Sequence, residues 1–350
     1  MYERLKRDIK RIAVHSGSLI VGDAVMLNPL VRSLRDSFPG TTIDYIGNVK
    51  PFVMEFAKRV LPFDHFIEME LKGGAFSIVR DLAGMVFKIR KMEYDLIVDN
   101  QWVAIRTIIL KLSRKRWLLS QSMGGMMSDL PVPSKQARPR HIIDRSISPL
   151  KLLGLPNVYS NPEIQIEETE RKAVEDILKS KGISKENRIA GISPYSNHEI
   201  KNWPANHFSS LIEKLSESRY GNIVVFLSRA QLEKAKADFK SLKVPIIYSI
   251  ELLPESENIN KALPLVERMN LFISNDSGLS HAASALGVPT IAIFGPTSPE
   301  RFGPRGKRVQ VMSSPASCAP CDIYKPCRHK KDCLDKISPS EVFDAAMKFE

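Results

Sequence analysis

The sequence predicts an α/β chain built as two doubly wound halves, and three observations predict it. Short apolar runs alternate with segments of helical period from end to end. A length of 350 residues with 43% hydrophobic content is enough to bury two cores of ordinary size. The stretch from Gly154 to Pro162 has linker composition, so the halves are expected at 1–160 and 161–337, both Rossmann-like, with a terminal helix in 338–350.

In the first half, Arg11 to His15 reads as a strand that turns through Ser16-Gly17-Ser18 and Gly22-Asp23. Ala24, Leu27, Leu30, Val31 and Leu34 then follow helical spacing, with Pro39-Gly40 closing the helix. Asp23 therefore stands near a helix start beside the carboxyl end of the first strand, where an α/β fold places chemistry. An N-terminal cap is the plain structural alternative. Further strands are expected at Ile43 to Ile46, Phe66 to Met69 and Leu96 to Val98. Between Leu118 and His141 the pattern loosens into a Met-rich, Gly- and Pro-containing segment that reads as a mobile loop. Its Lys135, Arg138 and Arg140 are candidate holders of phosphates or carboxylates on an acceptor.

In the second half, Glu168 to Ser180 opens with a helix and Ile189 to Ser193 forms the first strand. A loop containing Lys201-Asn202-Trp203-Pro204 follows, then strands at Ile223 to Leu227 and Ile246 to Ile250 and a helix over Asn260 to Met269. The densest stretch is 271–304. An apolar strand at Leu271 to Ile273 ends in Ser274-Asn275-Asp276-Ser277-Gly278, a helix spans 278 to 286, and a second buried strand runs from Thr290 to Phe294. A helix start carries unpaired N–H groups and a partial positive charge, so the turn at Ser277 to Leu279 is an anion site fit for phosphate.

The string DSGLSHAASALGVPTIAIFGPTSP resembles the signature of the ADP-heptose:lipopolysaccharide heptosyltransferases, glycosyltransferase family 9. Two further anchors agree. Gly22-Asp23 with Pro29, Leu34-Arg35 and Asp44-Tyr45 is similar to the family's opening, and Lys201-x-Trp203-Pro204 to its donor-phosphate segment. The resemblance implies a GT-B fold, two Rossmann-like domains facing a central cleft, the first binding acceptor and the second the nucleotide sugar. It implies an inverting transfer of heptose from ADP-heptose to the lipopolysaccharide inner core, without a catalytic cofactor. Asp23 would be the general base, and Lys201, Ser193, Asp276, Ser277, Gly278, Leu279 and His281 would hold the donor, with Glu233 at its ribose. It also implies that the terminal helix crosses back onto the N-terminal domain. The segment from Ser18 to Gly22 is longer than the family's pattern, so the loop is expected to present Asp23 differently. A different nucleotide-sugar donor, or an O-antigen or capsule acceptor, would keep the same fold.

A net charge of +12 implies an anionic partner. The basic leading segment, with Leu5 and Ile9 among its cations, suits the surface of the inner membrane. No apolar run is long enough to span a bilayer and the N-terminus is too charged for a secretory signal, so a cytoplasmic location is expected. Nucleic-acid binding by a degenerate, basic Cys-cluster protein is the reading from another class; basic residues without interleaved aromatics beyond Tyr324 argue against it. Cys318, Cys321, Cys327 and Cys333 are the chain's four cysteines. Their spacing admits a structural zinc, free or redox-active thiols, or an iron–sulfur cluster. The sequence leaves those three, and the oligomeric state, open.

Overall fold

The computed structural model describes residues 1–69, 78–321, 327 and 332–349. The chain divides into two units, Met1–Pro162 and Glu163–Glu350. In unit 1 the strands are β1 (Arg11–Leu19), β2 (Thr42–Val49), β3 (His65–Glu68), β4 (Leu96–Asp99) and β5 (Trp117–Ser120). They form one sheet in the order β3-β2-β1-β4-β5, every neighbouring pair parallel. In unit 2 they are β6 (Ile189–Ser193), β7 (Asn222–Val225), β8 (Ile247–Tyr248), β9 (Leu271–Asn275), β10 (Thr290–Phe294) and β11 (Val309–Ser313). Their order is β11-β10-β9-β6-β7-β8, again all parallel. Parallel strands need both faces covered, and β6, β9 and β10 are buried at every residue, which is why they read as continuous apolar runs.

Both sheets reverse direction of growth once: between β1 and β4 in unit 1, and between β6 and β9 in unit 2. At such a switch point the two flanking loops diverge and leave a crevice at the carboxyl ends of the strands. Ser193 and Asp276 lie at the second of these places, and Asp23 follows β1 at the first.

The elements differ from expectation at particular residues. The first strand continues past His15 to Leu19 across a register shift between His15 and Ser18. Gly17 takes the left-handed conformation there (φ 63°), so the longer Ser18 to Gly22 segment is absorbed partly as strand. The following helix starts at Val21, and its N-cap is Ile20. Asp23 therefore sits in the first turn and is not the cap. The leading helix Tyr2–Asp8 buries Leu5, and Ile9 after it is also buried, so the apolar side expected to meet lipid is committed to the core of unit 1. The terminal helix Pro339–Met347, expected on the N-terminal domain, instead buries Val342, Ala345 and Ala346 in the unit 2 core with Phe208, Leu211 and Leu215 of the helix Ala205–Ser216. Its apolar stripe finds the nearest unpaired apolar face, which belongs to its own unit.

The segment after β5, expected to be a mobile loop, is tied down at its centre. Ser128 Oγ donates to the backbone carbonyls of Leu118 and Leu130. The Asp129 carboxylate accepts from Leu118 N–H at 2.8 Å, from Arg114 Nε at 2.7 Å and from Lys111. Burial works against the Asp129 charge, yet the bonds from Lys111 and Leu118 and the charge of Arg114 outweigh it and hold the carboxyl below the usual carboxylate range. A depressed folded pKa contributes stability that is complete above the unfolded value of about 4 and is lost as pH falls through the folded value. Asp129→Asn is accordingly expected to lower stability near neutral pH by about 1 kcal/mol. In urea melts the gap from the parent protein should close on acidification; a gap of constant size would mean that packing and not charge holds the loop.

Candidate active site

At the β6–β9 switch point Ser193 ends β6 and lies opposite Ser274 of β9; both are buried. The loop leaving β6 is fixed by a residue of the neighbouring strand. Asn275 Oδ1 accepts from Trp203 N–H at 2.9 Å, and Asn275 Nδ2 donates to the Pro194 carbonyl at 2.7 Å, so one buried carboxamide holds both ends of the 194–203 segment. Within it, Asn202 Oδ1 accepts from Ser196 N–H and Oγ, and the Trp203 indole N–H donates to the Ile337 carbonyl at 3.0 Å. A single 3₁₀ turn, Glu199–Lys201, then aims Lys201 inward.

Lys201 Nζ donates to Asp276 Oδ2 at 2.7 Å, and Thr297 Oγ1 donates to the same oxygen at 2.7 Å. The lysine side chain is 16% and the aspartate 9% exposed, so the pair is largely desolvated. Three loops, after β6, β9 and β10, meet at one carboxylate oxygen.

Beside this pair begins the helix Gly278–Ala285. Its N-cap Ser277 makes no side-chain capping bond; the hydroxyl is engaged with Ser274 Oγ at 2.9 Å. Ser277, Gly278 and Leu279 are half-buried, whereas Asp276 and His281 are buried. An approaching anion thus meets the turn 277–279 and the Lys201 ammonium. Glu233 stands apart from this cluster: it projects from the helix Leu232–Asp238, 85% exposed, and pairs with Lys236 at 3.2 Å.

At the β1–β4 switch point of unit 1, Tyr45 Oη donates to the Gly17 carbonyl at 2.8 Å and bridges β2 to the irregular part of β1. A Cβ on Gly47 would stand 2.4 Å from both that carbonyl and the Tyr45 hydroxyl, so only glycine fits there. Burial pushes the Tyr45 hydroxyl up, the charge on Asp23 adds to the rise, and Arg106 opposes it; Asp23 and Arg106 thus both act on this phenol. Beneath the same loop Asp99 is buried and fully engaged. It accepts from Gln101 N–H at 3.1 Å and from Thr107 and Ser120 hydroxyls at 2.8 Å, and faces His15 Nδ1 at 3.0 Å. On the connection from β5 to the helix Ile142–Leu152, Lys135 and Arg140 are exposed. Arg138 turns back to donate to the Pro133 carbonyl at 3.3 Å.

None of the four cysteines forms a disulfide; Cys333 is buried, and Cys321 and Cys327 are exposed. Burial pushes the Cys333 thiol up, and charge interactions with Cys318, Cys321 and Cys327 add to the rise. Among the described residues no three His, Cys, Asp or Glu side chains are placed to hold a metal.

Sequence reading missed Asn275, Thr297, Tyr45, His15 and Asp99. The first two lay inside strings already singled out, as a turn former and as part of the Gly-Pro-Thr loop. Tyr45 likewise lay in the quoted Asp44-Tyr45 pair and His15 at the end of the expected first strand, whereas Asp99 carried no local signal.

Two Rossmann-like units, one five-stranded and one six-stranded, the latter with a cation beside an open helix start at its switch point, have the GT-B fold. The chain belongs to glycosyltransferase family 9 (heptosyltransferase), whose family model matches residues 85–332. It is similar to the lipopolysaccharide heptosyltransferase 2 of Escherichia coli K12, 24% identical over 303 residues, covering 83% of this chain and 85% of that one. Among solved structures it resembles the glycosyl transferase family 9 protein of Veillonella parvula DSM 2008, at a TM-score of 0.71 and 21% identity over 98% of this chain and 97% of the other. The ADP-heptose lipopolysaccharide heptosyltransferase II of E. coli follows, at 0.67 and 19%, covering 97% and 98%.

Proposed function

We propose that this glycosyltransferase moves a heptose from ADP-heptose to the inner core of lipopolysaccharide with inversion at the anomeric carbon. The observation that carries the proposal is the Lys201–Asp276–Thr297 cluster beside the uncapped helix start at Ser277. A leaving nucleoside diphosphate develops negative charge as its glycosidic bond breaks, and a desolvated ammonium with free N–H groups stabilises that charge where it appears. Asp276 is an anion and would repel a diphosphate, so its part is to hold Lys201; the phosphates are bound by Lys201 and the 277–279 turn, with Ser193 at the strand end. His281 is buried and orients the turn. Glu233 would have to turn inward from Lys236 to reach the ribose.

Unit 1 takes the acceptor. Asp23 removes the proton from the acceptor hydroxyl while its oxygen attacks the anomeric carbon, the carbon–phosphate oxygen bond breaks on the opposite face, and ADP departs. Lys135, Arg138 and Arg140 meet the anionic acceptor. The positive charge comes from the protein itself, so no cofactor takes part. The site of work is the cytoplasmic side of the inner membrane, with the enzyme attached peripherally.

Calorimetric titration tests this reading. ADP is expected to bind at least about tenfold more tightly than GDP or UDP, with or without Mg²⁺, and Lys201→Ala to lose most of that affinity. Equal binding of UDP would shift the reading to another donor on the same fold.

The proposal extends to a structural zinc on Cys318, Cys321, Cys327 and Cys333. The binding free energy of thiolate zinc sites is large enough to draw four such sulfurs onto one ion. One zinc per chain by elemental analysis, and a fall in Tm on chelation, are the expected results. A metal-free protein of unchanged Tm would refute it.

A further inference from the structure

Large apolar side chains are exposed in an uneven way. Among the described residues, every one that stands out in solvent belongs to unit 1, and unit 2 has none. Single exposed apolar residues are ordinary; the gathering of six of the ten at one edge is not. Six of them stand in the connections that leave the carboxyl ends of four adjacent strands. Ile20 follows β1 and Phe52, 70% exposed, follows β2. Val103 and Ile105 follow β4, while Met123 and Met126, the latter 84% exposed, follow β5.

Cations are interleaved with them. Lys50 precedes Phe52 and is exposed, and Arg106 follows Ile105. Arg145, in the helix Ile142–Leu152, lies over the Trp102 ring at 3.8 Å, which seats a guanidinium and an indole together just after β4. Apolar tips with long cations between them differ from the core of a protein interface, which is depleted of charge. They match the boundary of an anionic lipid leaflet, where aromatic and thioether side chains enter the acyl region and Lys and Arg reach the headgroups. Asp23 lies in the first turn of the helix Val21–Ser37 at the same edge.

We infer that the carboxyl edge of the unit 1 sheet, led by Phe52 and Met126, seats this protein on an anionic lipid leaflet and meets its lipid-borne acceptor there. The inference deepens the proposed function and rests on its assignment of the acceptor to unit 1. The leading helix takes no part, since its apolar face is buried.

The test is co-sedimentation of the full chain with phosphatidylcholine vesicles, with and without about one third phosphatidylglycerol. The parent is expected to partition onto the anionic vesicles and to release with salt. The double variant Phe52→Ser/Met126→Ser should partition at least about tenfold less. Its Tm and its ADP affinity by calorimetry should be unchanged, as should transfer to a delipidated acceptor. The exposed but off-edge variant Leu112→Ser/Leu152→Ser should partition as the parent does. Equal partition of parent and Phe52→Ser/Met126→Ser overturns the inference, as does a folded parent that ignores anionic vesicles. A parent that is dimeric by light scattering and monomeric as the double variant also overturns it, because a second copy then covers the edge. Failure of ADP to bind the parent would strike the donor reading, and the vesicle result would stand apart from it.

Discussion

Asp23→Asn is expected to slow sugar transfer by about 10²- to 10⁴-fold, the range lost when a positioned general base is removed. Asparagine keeps the size of aspartate but cannot accept the hydroxyl proton. ADP affinity, governed by unit 2, should stay within about twofold of the parent by calorimetry, because sites without shared partners act independently. That split separates catalysis from folding. Because Ile20 and not Asp23 occupies the N-cap, no large loss of Tm should accompany the loss of rate. Transfer by Asp23→Asn at the parental rate would remove Asp23 from the mechanism.

Lys201→Ala should behave differently. Transfer should fall by about 10²- to 10³-fold, the cost of removing one preorganised stabiliser of transition-state charge, and ADP affinity should fall with it. The substitution also leaves the Asp276 carboxylate buried without its ammonium partner, with the Thr297 hydroxyl still donating to it, at a cost on the order of 1–3 kcal/mol in stability. Asp276→Asn gives the diagnostic contrast. If Asp276 only positions Lys201, that variant should retain most ADP binding while losing part of kcat. If it loses as much affinity as Lys201→Ala, Asp276 touches the donor itself.

Much of this was legible in sequence because it is local. A buried parallel strand reads as an apolar run, and the turn and helix after β9 announce themselves by Asp276, Ser277 and Gly278. What stayed hidden depends on which neighbour a side chain meets. Asn275 reads as a turn former, yet its carboxamide is engaged by a loop that lies beside it only because β6 is next to β9. The apolar stripe of the terminal helix shows that one face is buried, but not against which unit. Strands β5 and β11 escaped notice for a related reason. They are short edge strands, β11 only partly buried, and the apolar alternation of edge strands is weak. β8 shrank from the expected five residues to two because the chain turns helical at Ser249.

The double grip of Asn275 on the 194–203 segment bears on how this protein fails when heated. A loop held at both ends by one interior carboxamide of a central strand has little freedom to open alone. Nucleotide affinity and the integrity of the second sheet should therefore disappear at the same temperature. Warming would not produce a population that is folded yet blind to its donor.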